Sequence, residues 1–337
     1  MNLVTGATGL LGSHIVEKLR EQGQPVRALV RPTSDTRVLE SFGGVEFARG
    51  DITDLESLRT ACKGVTTVYH SAAAVGDWGS WKNYFVPVTI RGTENMITAA
   101  REAGVERFLH VSSISAYGHP NEKGRVIDES APLGQNLHKW SYYSRAKVEA
   151  ETMVWAAHEK GDIQATVVKP SWLYGPRDRA SLPRIIRALR AGKGKLLGDG
   201  QNRMNLTYAG NEADGCILAA TKSNAIGENY NLSCDGVITQ AEYFNKIAEC
   251  LHVPPVKKHV PYWLAYNAAF WMEFFGHLVG KKKPPLVTRY SIWLIGRQCF
   301  FSEEKARREL GWEATVGYDE GIQRSVKWCL DNVDDLK

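Results

Sequence analysis

The sequence predicts an α/β chain, a parallel sheet with helices on both faces joined to a smaller, mainly helical cap. Three observations carry this expectation. Up to about residue 170, short β-branched runs alternate with longer stretches of helical periodicity, the pattern of βαβ units. The first run leads directly into three glycines spaced three apart, Gly6, Gly9 and Gly12. After Pro170 the rhythm changes to loops, Gly-rich turns such as RAGKGKLLGDGQN, and helices.

The elements follow in order. NLVT (2–5) is too short and lacks the cationic leader of a secretory h-region, so it reads as a first strand. In LLGSHIVEKLREQG, Leu11, Ile15, Val16 and Leu19 recur at helix spacing and Gly23 supplies the stop. Further strands are expected at PVRALV (25–30), VEFAR (45–49), VTTVYH (65–70), RFLHVSS (107–113) and ATVVKP (165–170). Thr239 and Glu242 have the spacing of a capping box opening AEYFNKIAECL. Segment 261–301 is crowded with aromatics and predicts two apolar helices interrupted by Lys281-Lys282-Lys283-Pro284-Pro285. The expected division is a nucleotide-binding domain over 1–170, rejoined by about 200–235, and a substrate-binding region over 171–337.

Composition narrows the function classes. With 337 residues, 43% hydrophobic and 23% charged, the chain can bury a sizeable core. A net charge of +5 without a block of five basic residues is no nucleic-acid footprint. No run approaches the roughly 18 uninterrupted apolar residues of a membrane span. Cys62, Cys216, Cys234, Cys250, Cys299 and Cys329 are scattered without C-x-x-C spacing, which suggests reduced thiols in a cytoplasmic protein and no metal site.

A strand feeding a glycine-rich turn that opens a helix converges backbone N–H groups and the positive helix end on one point, a phosphate site. Gly6 permits the turn, Gly9 lets backbone approach a pyrophosphate, and Gly12 lets helix and strand pack closely. Thr8, Leu10 and Leu11 complete that loop, and the fold class becomes a Rossmann-like doubly wound sheet. Some 20 residues on, an acid would grip a ribose 2′-hydroxyl and an arginine a 2′-phosphate. VRALV ends in Arg31, with no carboxylate before Asp35, which favours NADP(H) over NAD(H). Against that stands a plain solvated charge at a strand end.

Tyr143 and Lys147 lie four apart, on one face of a helix. A phenol with pKa about 10 is a poor acid–base catalyst at neutral pH, and a neighbouring ammonium favours its phenolate. Of thirteen tyrosines only Tyr143 has lysine at this spacing. Ser112 and Ser113 end the RFLHVSS run, at the sheet edge where open α/β folds bind ligands. Serines there are also ordinary turn formers.

The chain resembles the extended short-chain dehydrogenase/reductases over nearly its whole length. The matching pieces are TGATGLLG (5–12), GDITD (50–54), HSAAA (70–74), GTENMITAA (92–100), VSSISAYG (111–118), Tyr143-x-x-x-Lys147, KPSWLYGPRD (169–178) and SEEKARRELGWEATVGYDEGI (302–322). The resemblance implies that Asp51 and Ile52 meet the adenine and that Ser71, Ala72 and Ala73 line the cofactor path. It further implies that Pro170 and Ser171 flank the nicotinamide, Ser113 is the catalytic serine, and Lys147 also holds the nicotinamide ribose. Family habit suggests a homodimer. One departure is Thr89, where the family carries Asn, which leaves the local hydrogen-bond network open.

Within this superfamily the fold does not settle the reaction. GDGQNRMNLTY resembles the GDGxQxRDF stretch of sugar-nucleotide enzymes but has Met204 and Asn205 where the Arg-Asp pair stands, with Arg203 one residue early. Segment 261–301, with Trp263, Phe270, Trp271, Phe274 and Phe275, is more like the apolar C-terminal region of 3β-hydroxysteroid dehydrogenases and 2-alkyl-3-ketoalkanoate reductases. It can be a substrate lid, core, a dimer face, or a membrane-surface contact with Lys281–Lys283 meeting anionic headgroups. VGDWGSW (75–81) places Trp78 and Trp81 where a substrate cavity begins, and Trp172 and Tyr174 are further wall candidates, as are His138 and Trp140. The expectation is an NADP(H)-dependent oxidoreductase acting on a ketone or secondary alcohol in a hydrophobic molecule. The alternatives are a sugar-nucleotide epimerase or dehydratase with tightly bound NAD, and a nucleotide sensor.

Overall fold

The structure is a computed structural model, described for residues 1–336 except Asp77, 120–123, Lys282, Leu286, Arg297 and Gln298. The middle lysine of the basic run therefore lies outside the described residues, as does the aspartate of VGDWGSW. Seven parallel strands form the central sheet. Five come first: β1 (Asn2–Thr5), β2 (Val26–Val30), β3 (Val45–Arg49), β4 (Thr67–His70) and β5 (Arg107–Val111). Strands Ala165–Pro170 and Asn229–Leu232 extend the sheet beyond β5, and the order across it is Asn229–Leu232, Ala165–Pro170, β5, β4, β1, β2, β3. The order reverses between β1 and β4, and such a switch point leaves a crevice at the carboxyl ends of the strands.

Both sheet faces are covered, which explains why the strands are continuous apolar runs without alternation. One face carries Val4, Ala28, Val30, Tyr69, Leu109 and Val111 against helix α1 (Leu10–Glu21) and helix Ala209–Thr221. The other carries Leu3, Leu29, Val68 and Phe108 beneath Met96 and Ala99 of helix Gly92–Glu102 and Val154 of helix Tyr142–Glu159. A π-helical segment, Trp81–Arg91, runs straight into helix Gly92–Glu102. Helices Ser181–Arg190, Gln240–Cys250 and Tyr318–Asn332 form a second core around Ile186, Tyr243, Ile247 and Ile322. The capping box forms as spaced, Thr239 accepting from the Glu242 N–H and Glu242 from the Thr239 N–H.

The expected two apolar helices in 261–301 are Tyr262–Leu278 and Arg289–Gly296. Among the described residues no helix is long and apolar enough to cross a membrane.

Candidate active site

The glycine turn is built as tightly as its spacing requires. Gly6 has φ of 65°, a left-handed conformation favouring glycine, and a Cβ there would press on the Ala72 backbone. A Cβ on Gly12 would collide with the Gly6 carbonyl, so helix and turn are packed to the limit of a hydrogen atom. Gly9 caps α1 and no side chain closes its N-terminus, while Thr8 and Gly9 are exposed above it. Leu11 and Gly12 are buried, and Leu10 is half-buried. An uncapped helix end with room only for backbone suits a pyrophosphate, and the residues fit a dinucleotide.

Other expected cofactor residues border the same crevice. Ser71 donates its hydroxyl to the Thr5 carbonyl (3.0 Å), and the Ala72 N–H donates to the Thr5 hydroxyl (3.2 Å), so β1 and β4 are locked where they leave the sheet. Ala73 follows half-buried. Asp51 accepts from the Thr53 N–H and hydroxyl through a single oxygen, Oδ1, and Ile52 is buried under Gly92. Thr89 preserves a tether despite replacing Asn: its hydroxyl accepts the Ala74 N–H at 2.9 Å. Pro170 ends its strand, and Ser171 shares a hydrogen bond with Thr207 (2.9 Å).

At the tip of β2, Arg31 is exposed, and its backbone closes a turn with Ser34, the Arg31 N–H donating to the Ser34 hydroxyl and the Ser34 N–H to the Arg31 carbonyl. Asp35, the first carboxylate after β2, is not free to act as a ribose acceptor. It receives the Arg37 guanidinium in two hydrogen bonds, lies 3.6 Å from Arg179, and is held well below the usual carboxylate range by Arg37. Arg37 and Arg179 were not marked by the glycine-to-arginine spacing.

The expected reacting groups meet at the end of β5. Ser113 ends the extended chain and accepts the Ser115 N–H (3.1 Å), which aims its hydroxyl at Tyr143. The Ser113 hydroxyl beside the Tyr143 phenol lowers its pKa, but burial outweighs this and the net shift is upward. The expected lowering joined Lys147 to a cationic nicotinamide, and Lys147 alone does not pull the phenol down. The physical reason is where the ammonium points: Lys147 donates to the Val111 carbonyl at 2.8 Å. Burial lowers the Lys147 pKa to about 8, partly opposed by Glu151.

One turn further along the helix, Glu151 accepts the Ser112 hydroxyl (2.5 Å) and pairs with Lys169 at 2.8 Å. Lys169 in turn donates to Asn229 (2.7 Å). Both ends of this ion pair are buried, and burial still lowers the Lys169 pKa. The pair braces β5, the site helix and the two outer strands behind Ser113 and Lys147. Ser112 thus faces the support and Ser113 the crevice.

Above Tyr143, Tyr290 of the second apolar helix approaches edge-on at 6.1 Å and shares a hydrogen bond with Ser115 (2.9 Å). Neighbouring Arg289 is bound to Glu273 and lies over Trp140 and Phe270. Phe270, Glu273, Phe274, His277, Leu278 and Arg289 line an open, mostly apolar cavity of about 400 Å³. Trp78 stacks on His277 at 4.1 Å and donates to the Lys281 carbonyl, and Trp81 lies under Arg145 beside Tyr142. One expected wall residue is placed elsewhere. Tyr174 is fully buried and gives its hydroxyl to Asp235, because the chain after Pro170 turns inward to build the second core. Trp172 packs on that core beside Tyr243.

Comparison with known proteins decides the family: the profile of the NAD dependent epimerase/dehydratase family matches residues 2–233. The chain belongs to this family. It is an NAD(P)-dependent oxidoreductase of the extended short-chain dehydrogenase/reductase type. Among relatives, a 2-alkyl-3-oxoalkanoate reductase from Shewanella oneidensis is 30% identical over 95% of this chain and 84% of its own. A sterol-4-alpha-carboxylate 3-dehydrogenase, decarboxylating, from Mus musculus is also 30% identical, over 96% of this chain and 89% of its own. The crystal structure of gox2253 superposes with a TM-score of 0.79 at 29% identity, over 99% of this chain and 98% of that one. An NAD complex of a Bacillus cereus UDP-glucuronic acid 4-epimerase, at 23% identity and TM-score 0.76 over 100% and 99% of the two chains, shows the shared epimerase/dehydratase fold.

Proposed function

We propose that this epimerase/dehydratase family member interconverts a ketone and a secondary alcohol on a hydrophobic substrate of sterol or β-keto-acid type, with NADP(H) as the preferred cofactor. The observation that carries the reading is the Tyr143 phenol beside Ser113 at the sheet edge, with the Tyr290 ring of the apolar second helix over it. The bound cofactor supplies hydride to the carbonyl carbon in the reducing direction. Ser113 orients the carbonyl oxygen, and the Tyr143 hydroxyl donates the proton that completes the alcohol. A phenol kept protonated by burial is suited to that donation. Lys147, anchored on the Val111 carbonyl one turn along the same helix face, is the cation that holds the ribose hydroxyls in this reading.

For cofactor choice, Arg31, Arg37 and Arg179 cluster at the β2 tip while Asp35 is already engaged, a setting that favours a 2′-phosphate. The relatives named for keto-acid reduction and sterol dehydrogenation support the substrate class. The sugar-nucleotide alternative lacks a free clamp: Met204 is buried in the second core, and Arg203 lies over the Phe300 ring at 4.4 Å.

The test pairs binding with turnover. Tryptophan fluorescence titration should show NADPH binding more tightly than NADH, and Tyr143→Phe should bind NADPH normally yet lose about 100-fold or more in turnover of a bulky hydrophobic ketone. Retention of more than about a tenth of wild-type turnover by Tyr143→Phe is incompatible with the assigned role. Tight retention of NAD without net cofactor consumption would favour the epimerase reading.

A further inference from the structure

Helix Tyr262–Leu278 is apolar almost all round and turns its large side chains outward. The side it turns to the protein carries Ala269, Glu273 and Gly276, small or charged. The side it turns outward carries Trp263, Leu264, Trp271, Phe275 and Leu278, with Trp271 54%, Phe275 55% and Leu278 72% exposed. Leu264, Trp271, Phe275 and Leu278 follow helical spacing and form one stripe, about 20 Å long at 1.5 Å per residue. A contiguous apolar surface of this size calls for an apolar partner.

Charge selects the partner. Residues 250–302 contain seven lysines and arginines against a single acid, a net +6, while the whole chain is +5. The molecule's positive charge is therefore concentrated in this segment and the remainder is close to neutral. The one acid, Glu273, is buried and bound to Arg289, so it does not neutralise the outer face. Exposed Lys257 and Lys258 precede the helix and exposed Lys281 and Lys283 follow it. Two copies meeting through this face would bring like charges together, whereas a layer of anionic headgroups over hydrocarbon matches both its charge and its apolar stripe.

We propose that the outer face of helix Tyr262–Leu278 docks on an anionic lipid bilayer, with Trp263, Trp271 and Phe275 entering the interface and the flanking lysines meeting the headgroups. The docking does not depend on the proposed reaction. Resting on that reaction is one consequence: the cavity lined by Phe270, Phe274 and Leu278 lies on the same helix, so a ketone dissolved in the lipid would reach Arg289 and Tyr290 along an apolar path.

Co-sedimentation of the full chain with phosphatidylcholine vesicles, with and without about a third phosphatidylglycerol, tests this. Binding to the anionic vesicles is expected to weaken with salt and to fall about tenfold or more in Trp271→Glu/Phe275→Glu, with NADPH affinity unchanged. Lys281→Glu/Lys283→Glu should lose several-fold on anionic vesicles and little on neutral ones. Absence of wild-type binding, or equal binding by wild type and Trp271→Glu/Phe275→Glu, overturns the proposal. So does concentration-dependent self-association that this aromatic pair abolishes without any vesicle binding, because the face then belongs to a second copy. Since vesicle binding is read without turnover, failure here leaves the proposed reaction separately testable.

Discussion

On the sheet side of Tyr143 the structure is closed and braced, while on the side of helix Tyr262–Leu278 it is held by a few separate contacts. Gly6 and Gly12 have no room for a Cβ, and buried Ser112, Glu151 and Lys169 form a continuous chain that ends on half-buried Asn229. The opposite flank is fastened by Glu273 on Arg289, Tyr290 on Ser115, and Trp78 on His277 and Lys281. The difference teaches how the labour is divided. A hydride and a proton must be placed to within a fraction of an ångström, and the groups proposed to place them stand on a rigid sheet edge. On the proposed reaction a bulky apolar molecule would get in and out past the other wall, which is built from elements that can part locally.

The largest effect is expected where the braced side loses its buried charge partner. Glu151→Ala leaves Lys169 buried without its carboxylate and Ser112 without its acceptor, and should cost about 3–5 kcal/mol in global stability by denaturant titration. If the loss were under about 1 kcal/mol, the brace would not be what holds the sheet edge. Glu151→Gln keeps the shape and separates the charge contribution from packing.

A smaller, tunable effect follows from Lys147. Burial holds it near 8, below the usual 10.5. Between those values the unfolded chain carries a proton that the native chain has shed, so this group's contribution to stability rises with pH across the window. Turnover in the reducing direction should move the opposite way. It needs the ammonium and should fall about tenfold per pH unit above roughly 8. Lys147→Arg, charged throughout, should remove that limb in whatever activity remains, and an unchanged limb would assign the titration to another group.

Much of the braced side was legible in the sequence because its signals are local. The strands appear as short β-branched runs, the phosphate turn as three spaced glycines, and Tyr143 with Lys147 as one helix face. Glu151 continues that same spacing, and Lys169 is the one charged residue in its strand, so their pairing left a readable trace. Segment 261–301 showed its two helices but not their orientation. A helix apolar almost all round does not reveal which side packs, and the purpose of Glu273 and Gly276 depends on Arg289 and Trp78, which lie elsewhere in the chain. Tyr290 had no local signal, since its partners Ser115 and Tyr143 reach it only through folding. Net charge averaged over the whole length concealed the basic segment for a similar reason.

The smallest predicted effect sharpens the comparison most, because it separates local from global stability. Trp78 is seated by Gly276, where a Cβ would come within 3.0 Å of its ring, and it stacks on His277 while donating to Lys281. These contacts join the loop after β4 to the end of helix Tyr262–Leu278 without entering either main core. Trp78→Ala should therefore lower global stability by no more than about 1 kcal/mol, yet speed amide exchange in helix Tyr262–Leu278 several-fold more than in β1, β4 or β5. On the proposed substrates KM should rise by about two- to fivefold with kcat nearly unchanged, because the groups moving hydride and proton remain on the braced side. Uniformly faster exchange across the sheet would mean that the two sides unfold as one unit, and the division between a rigid floor and a separable wall would fail.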